Sequence, residues 1–592
     1  MSEIAGGNGN NKIKNDKNTS GDKNSKFNKK LRALWRDDRR YVKRLIVAAS
    51  ASFVLCFTIL FFGPVEITAF SYDSLSFDIM EITPIMAAVA AVAFIVLSLF
   101  LSVLRGKIFS YAVSGVLAAA ICGYIQGNFL NGKLGALTGD AIDWHNQTGK
   151  MFAGLVLLFA ISLIPFIILY FDKKAWYSTV SIVSAVIVMM QSVALITIYS
   201  GNNVRKPKDY SQYLSTEEMF DFSSEQNTLV FLMDRLDYEF IEEVLEKDLD
   251  FFSKLDGFTS YTNAISEHAR TKPAANFILT ACEEGAYQIP QYEYFEKSWS
   301  SGGKNILKDL KDAGYKIDIY SEINCMFGQG NTAGEYVSNV SSIRNKLNVS
   351  SVIDSLLTLS AYRYVPLACK PFFWSYTDEI NNGAYLNSTI YEIDETAFDR
   401  GIENFTLDGD SKYFKFYHFN GSHSPYTLNE DGTRSSGATS SLEQTKGSFQ
   451  ILFNAFEKMK EDGIYKDSGI IITADHGSPV SDKKPLQKAT RIGLFYKPPG
   501  SEGTPLKTSE APVSLKNVPA TILKSAGIDY SKYGRALDEI GENEEITRTF
   551  YKSVVVNGRE EDLYVYEVRG KAADFANWVN TKILPIKYPF YG

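Results

Sequence analysis

Hydrophobic patterning changes character near residue 200. Before it, five stretches free of Asp, Glu, Lys and Arg occupy Leu45–Phe62, Ile82–Leu104, Ile108–Phe129, Met151–Phe171 and Trp176–Tyr199. Apolar runs of roughly 20 residues cross a bilayer as helices. After it, short apolar runs alternate with longer amphipathic segments. Thr228–Met233, Tyr315–Tyr320, Tyr413–Phe419, Ile470–Thr473 and Arg491–Tyr496 are predicted strands. Tyr238–Lys254, Thr271–Cys282, Asn305–Ala313, Ser351–Tyr364, Ser441–Glu461 and Val513–Ala526 are predicted helices. Strands alternating with helices imply an α/β sheet that binds ligands at the C-terminal ends of its strands. Thr547–Val556 and Leu563–Val568, separated by Asn557-Gly558, predict a closing hairpin. No repeat is visible.

Charge orients this plan. The 592-residue chain has a net charge of -7, yet residues 1–44 carry a net +8, which leaves -15 for the rest. The tail, Arg105-Gly-Lys107 and Lys173-Lys174 are basic, whereas the first connection between spans has Glu66, Asp73 and Asp78 and no cation. The positive-inside rule then puts the tail in the cytoplasm and residues beyond 200 outside, in a multi-pass cell-membrane protein. The expected divisions are 1–44 as a basic, disordered cytoplasmic tail able to touch anionic lipid, 45–199 as a five-helix transmembrane domain, 200–226 as a linker and 227–592 as an extracellular domain. No Asp, Glu, Lys, Arg or His lies within the five spans, which favours anchoring over transport. The first span follows a long polar tail and lacks a cleavage site, so it is not read as a signal peptide. The acidic outer part excludes nucleic acid as a partner. Five widely spaced cysteines with no CxxC pair exclude a thiol zinc site, while leaving one bridge among Cys282, Cys325 and Cys369 open.

Candidate chemistry gathers at the strand ends. Asp234 follows Thr228–Met233; Thr271 precedes Lys272-Pro273 and opens a helix. His423 lies in Gly421-Ser-His-Ser-Pro-Tyr426, and Asp475-His476-Gly477 ends the run from Gly469. Two carboxylates, two imidazoles and a hydroxyl suit a metal-assisted displacement at phosphorus or sulfur, with a helix N-terminus favouring the developing anion. Plainer readings exist for each. Thr271 can be an N-cap hydroxyl, Asp234 a cap for the next helix (Asp237 being better placed for that), and His418 a buried strand histidine.

The order Asp…Thr-x-Pro…Gly-Ser-His-x-Pro-Tyr…Asp-His-Gly resembles the alkaline phosphatase/sulfatase superfamily. The membrane-anchored lipoteichoic acid synthase and phosphoethanolamine transferase branch is the most similar in layout. Val513–Gly527 is similar to the late helix of sulfatases and Gly534-Arg-Ala-Leu537 to the turn after it, so the resemblance covers about residues 226–537. It implies an alkaline phosphatase-like (sulfatase-like) α/β sandwich in which Asp234, Thr271, Asp475 and His476 bind one divalent metal ion (Mn2+, Mg2+ or Zn2+). It further implies that Thr271 is the nucleophile, with His423 meeting the substrate; His418 is a further candidate substrate contact. Sulfatases carry Cys/Ser-x-Pro-x-Arg, with the first residue oxidised to formylglycine. Thr271-Lys-Pro-Ala-Ala275 can form no such aldehyde and lacks the arginine, which argues against sulfate ester cleavage. The further histidine of phosphoethanolamine transferases is replaced by a basic stretch in which Lys488 and Arg491 are candidates to hold phosphate. The implied function is transfer of a phospho-substituent, such as phosphoglycerol, from a membrane lipid donor to a cell-surface glycan or polymer acceptor. A phosphodiester hydrolase with the same site and an inactive membrane scaffold or sensor are the alternatives.

Overall fold

The computed structural model describes residues 41–590 apart from 73–74, 133–141, 143, 202–211, 283–284, 301–304, 323–326, 328–332, 343–345, 376, 387–388, 410, 436, 479–482 and 557–558. The basic tail before Tyr41, Asp73, Cys325, much of the linker and the Asn557-Gly558 turn lie outside the described residues. Two compact units result. The described residues of the first fall within Met1–Leu137, Trp144–Lys208 and Val349–Ser375, and those of the second within Thr138–Asp143, Asp209–Asn348 and Tyr376–Gly592. Cys369 is a free thiol.

In the first unit, α1 (Tyr41–Phe70), α2 (Ile79–Val103), α3 (Gly106–Leu130), α4 (Thr148–Phe171) and α5 (Lys173–Ser200) are long and apolar enough to cross a membrane. Val92, Phe100, Phe159, Ile182 and Met189 all point outward. Such faces are ordinary in hydrocarbon and costly in water. The sequence reading stops the first span at Phe62, ahead of Gly63-Pro64. The helix instead continues to Phe70, because Phe57–Phe62 winds as a π turn closed by the Gly63 N–H on the Thr58 carbonyl. That wider turn carries the helix past a proline that cannot donate.

Glu66 therefore belongs to α1 and not to a connecting loop. Its carboxylate meets the Arg363 guanidinium at 2.8 Å, from the helix Val349–Tyr364. That helix was read as part of the outer domain but groups with the membrane-spanning helices. Tyr364 explains why: its ring fills a slot where a Cβ on Gly63 would lie 2.6 Å away and one on Gly127 2.5 Å away. The Ser360 hydroxyl donates to the Ile59 carbonyl at 2.5 Å, and the Asn131 amide to the Arg363 carbonyl at 3.0 Å. Glu66→Ala removes the carboxylate from a largely buried guanidinium. Allowing for partial solvent access, the expected cost is about 2 kcal/mol, read as a lower thermal midpoint of the detergent-solubilised chain. An unchanged midpoint would deny the pair any structural role.

The second unit is built on a seven-stranded sheet: β1 (Asn227–Met233), β2 (Thr259–Tyr261), β3 (Tyr315–Tyr320), β4 (Lys412–Phe419), β5 (Gly469–Thr473), β6 (Leu494–Lys497) and β7 (Lys507–Ser509), in the order β7-β2-β6-β5-β1-β4-β3. β1 and β5 are buried at every residue, in keeping with the apolar runs Leu229–Met233 and Ile470–Ile472 that form most of them. β5, β1, β4 and β3 are parallel neighbours; β6 is antiparallel to both β5 and β2, and β7 is parallel to β2. All strands but β6 thus point one way, and the chain leaves β1, β2, β4 and β5 at the same edge. Phe231, Phe398, Tyr417, Phe419 and Phe456 pack as an aromatic cluster beside the central strands. A separate three-stranded sheet of β8 (Thr547–Val556), β9 (Arg559–Arg569) and β10 (Trp578–Pro585) extends the expected hairpin by one strand.

Candidate metal centre

Asp234 directly follows β1 and Asp475 lies two residues beyond β5, so neighbouring parallel strands deliver both carboxylates to one edge. Asp234, Asp475 and His476 each offer a ligand atom, all within 4.8 Å of one another. Asp475 is fully buried; its Oδ1 accepts the Arg235 N–H at 2.9 Å and the His476 N–H at 2.8 Å. Among the described residues its Oδ2 has no hydrogen-bond partner, nor does Oδ1 of Asp234. The His476 ring settles its own tautomer. Nδ1 lies 2.7 Å from the Gly477 carbonyl, which can only accept, so Nδ1 carries the proton. In the neutral ring Nε2 then presents a lone pair 3.4 Å from the unpartnered Asp475 Oδ2. Two acceptors facing each other with orphaned carboxylate oxygens make a donor set that fits a divalent cation.

Glycine makes this geometry possible at two points. A Cβ on Gly477 would lie 2.2 Å from Thr490 Oγ1 and 2.8 Å from the Arg491 carbonyl. Gly421, at φ +60°, lets the turn after β4 close on β1, where a Cβ would come within 2.7 Å of the Asp234 nitrogen. Asp237 caps α6 (Tyr238–Lys247) through the Glu239 N–H, and its other oxygen accepts the Ser478 N–H at 2.7 Å, tying the loop beyond His476 to the helix start.

The remaining expected residues divide into two groups. His423 sits in the Gly421 turn, and His418 Nε2 lies 3.7 Å from Asp234 Oδ2. Burial alone would raise the Asp234 carboxyl; His418, His423 and His476 outweigh it and hold the group below its usual range. His418 is buried, with Nδ1 3.1 Å from the Ser321 hydroxyl. Thr271 is the first residue of α7 (Thr271–Thr280), reached from the C-terminal end of β2 at the metal-site edge of the sheet. Arg270 is the N-cap, and the Thr271 hydroxyl makes no hydrogen bond among the described residues. The capping role is thus not the one it plays. Lys488 pairs with Glu239, and Arg491 with Glu242 at 2.7 Å while stacking on Tyr238. Both candidate phosphate ligands are engaged by α6.

A sulfatase family model matches residues 226–528. The chain belongs to the sulfatase family. Its fold is similar to that of an alkaline phosphatase superfamily protein from Vibrio parahaemolyticus, at 16% identity over 64% of this chain and 84% of that one, with a TM-score of 0.35. It is also similar to a phosphonate monoester hydrolase from Silicibacter pomeroyi, at 14% identity, 61% and 88% coverage and a TM-score of 0.35. The lipoteichoic acid synthase LtaP from Listeria monocytogenes is similar at 12% identity, 63% and 89% coverage and a TM-score of 0.31. No curated protein sequence matches the chain. Members of the sulfatase superfamily are metal-dependent, in keeping with the donor set described here.

Supports of this sulfatase-family site that sequence reasoning missed lie under the Gly421 turn. Glu395, the first residue of α8 (Glu395–Ile402), accepts the Gly421 N–H at 2.7 Å and contacts the Ser448 hydroxyl at 2.9 Å. Gln444 of α9 (Ser441–Glu461) donates to the Gly421 carbonyl at 3.1 Å. Burial pushes the Glu395 carboxyl up to about 7, with the Gly421 and Ser448 hydrogen bonds only partly opposing it. The folded chain thus keeps a proton that the unfolded chain loses above its ordinary value of 4.5. Stability from this group is complete below that value, falls as pH rises to about 7, and is flat beyond. Glu395→Gln, which cannot ionise, should gain on the native chain across that window by a few kcal/mol, in order of magnitude. Denaturant midpoints measured from pH 4 to 8, with parallel curves for the two proteins as the contrary result, check this.

Proposed function

We propose that this membrane-anchored chain transfers a phospho-substituent, such as phosphoglycerol, from a lipid donor to a cell-surface glycan or polymer on the outer side of the membrane. The observation that carries the reading is the Asp234–Asp475–His476 donor set beyond β1 and β5, together with a threonine at the start of α7 whose hydroxyl makes no hydrogen bond among the described residues. Asp234, Asp475, His476 and the Thr271 hydroxyl would hold one divalent cation. Such a cation polarises a phosphoryl oxygen and makes a coordinated hydroxyl more acidic.

The chain's own residues supply the rest. Thr271 Oγ1 attacks the donor phosphorus, its proton is released, and the bond to the donor's lipid oxygen breaks as that oxygen takes up a proton. The N-terminus of α7 favours the negative charge that builds on the phosphoryl oxygens. His423, in the turn closed against Asp234, meets the transferred group. An acceptor hydroxyl then displaces Thr271 from phosphorus and regenerates the free threonine. Thr271 in place of an oxidisable cysteine or serine, together with no arginine at position 275, supports transfer of phosphorus over sulfate hydrolysis. Anchoring by five apolar helices suits a donor that resides in the bilayer. The test is to incubate the full chain with a lipid carrying a labelled phosphoglycerol headgroup and an oligosaccharide acceptor. Label on the acceptor is expected. Free glycerol phosphate with an unlabelled acceptor would replace transfer by hydrolysis.

A further inference from the structure

Three of the cations that flank the site residues in sequence are engaged by carboxylates. Lys488 pairs with Glu239, Arg491 with Glu242 at 2.7 Å and Arg270 with Glu560 at 3.1 Å. Arg235 adjoins the ligand Asp234 in sequence, and its guanidinium makes one hydrogen bond, to the Ser478 hydroxyl at 3.1 Å. Among the described residues it meets no carboxylate. Ser478 follows His476 by two positions, so the guanidinium lies against the loop that carries two of the donor groups.

The backbone of Arg235 is a second, independent sign. It adopts φ 59°, in the left-handed region where glycine is at ease and a side chain is strained. That conformation turns its N–H onto Asp475 Oδ1 at 2.9 Å. A glycine would make the same backbone bond without strain, so the turn does not account for the guanidinium. Charge accounting supplies a reason. A divalent cation bound by two carboxylates and a neutral imidazole has no net charge left with which to attract an anion. Residues 45–592 carry a net -15, which adds repulsion at long range. An anionic ligand at this centre needs a fixed positive group beside it.

Resting on the function proposed above, we infer that Arg235 is the substrate-binding cation of this centre. Its guanidinium takes the non-bridging oxygens of the tetrahedral anion being transferred, bound through paired N–H donors as an ammonium could not bind them. This assigns specificity for a phosphate- or phosphodiester-bearing ligand to the residue after the first metal ligand. The basic stretch at 483–491 is not needed for it.

The experiment uses full-length protein in detergent, loaded with Mn2+, and measures binding of inorganic phosphate by calorimetry alongside steady-state kinetics on a phosphodiester. Arg235→Gly removes the guanidinium and relieves the left-handed strain, so it should fold and bind Mn2+ at least as well as the native chain. Phosphate affinity should fall about 10- to 100-fold, with a matching loss in kcat/KM, and Arg235→Lys should recover only part. Native affinity and kinetics in Arg235→Gly, with native protein active, would overturn the assignment and leave the site reading intact. A native chain that neither binds phosphate nor turns over would bring down both. If Arg235 served only to brace Ser478, Arg235→Gly would lose thermal stability and retain phosphate affinity, which also contradicts the inference.

Discussion

Thr271→Ala is expected to lower phosphodiester turnover by at least about 10³-fold, because no other hydroxyl replaces the attacking oxygen. The same change should be nearly silent in stability, within about 0.5 kcal/mol. The hydroxyl makes no hydrogen bond among the described residues, and alanine is well accepted in the first turn of α7. This separation of effects is what gives the variant its force: a folded protein without chemistry. Thr271→Ser retains an oxygen at the same position and should keep a measurable fraction of activity. Turnover of Thr271→Ala within tenfold of native would mean that the first displacement uses another group or water.

The second large effect is expected at Asp475. Asparagine keeps an oxygen able to accept the Arg235 and His476 N–H groups, now at 2.9 and 2.8 Å, and so preserves the loop. What it removes is the charge facing His476 Nε2. Metal affinity of Asp475→Asn should therefore drop by roughly 100-fold or more, and activity with it. Metal content after dialysis is the direct readout. A chelator applied to the native chain should reproduce the loss, lower the thermal midpoint through removal of a ligand specific to the folded state, and be reversed by added metal. Unchanged metal content in the variant would place the cation elsewhere.

Much of this architecture is legible from sequence wherever burial is complete. β1, β4 and β5 are bounded to within a residue by their apolar runs, because a central parallel strand is buried on both faces and tolerates few polar side chains. β2 and β7 escape detection: Thr-Ser-Tyr and Lys-Thr-Ser are three residues long, polar and near the sheet margin. The helix expected through Lys254 ends at Lys247 and resumes as a short 3-10 turn at Phe251–Lys254, since Asp248 leaves the helical region.

At the site, Asp234, Asp475 and His476 are readable because strand ends deliver them. The fate of Lys488 and Arg491 is not, because their partners Glu239 and Glu242 lie 249 residues away in sequence. The left-handed turn at Arg235 leaves no mark in composition. Glu395 reads as an ordinary acid at a helix start, and only the fold brings it under Gly421. Likewise the Val349–Tyr364 pattern is that of any amphipathic helix until Gly63 and Gly127 are seen to leave room for Tyr364.

Peptide mass spectrometry after rapid acid quench, on full-length metal-loaded protein mixed with a phosphoglycerol lipid, tests the central claim most directly. The peptide containing Thr271 should gain the mass of the transferred group while donor is present and lose it when acceptor is added. Sustained turnover with that peptide unmodified at every time point would contradict the account.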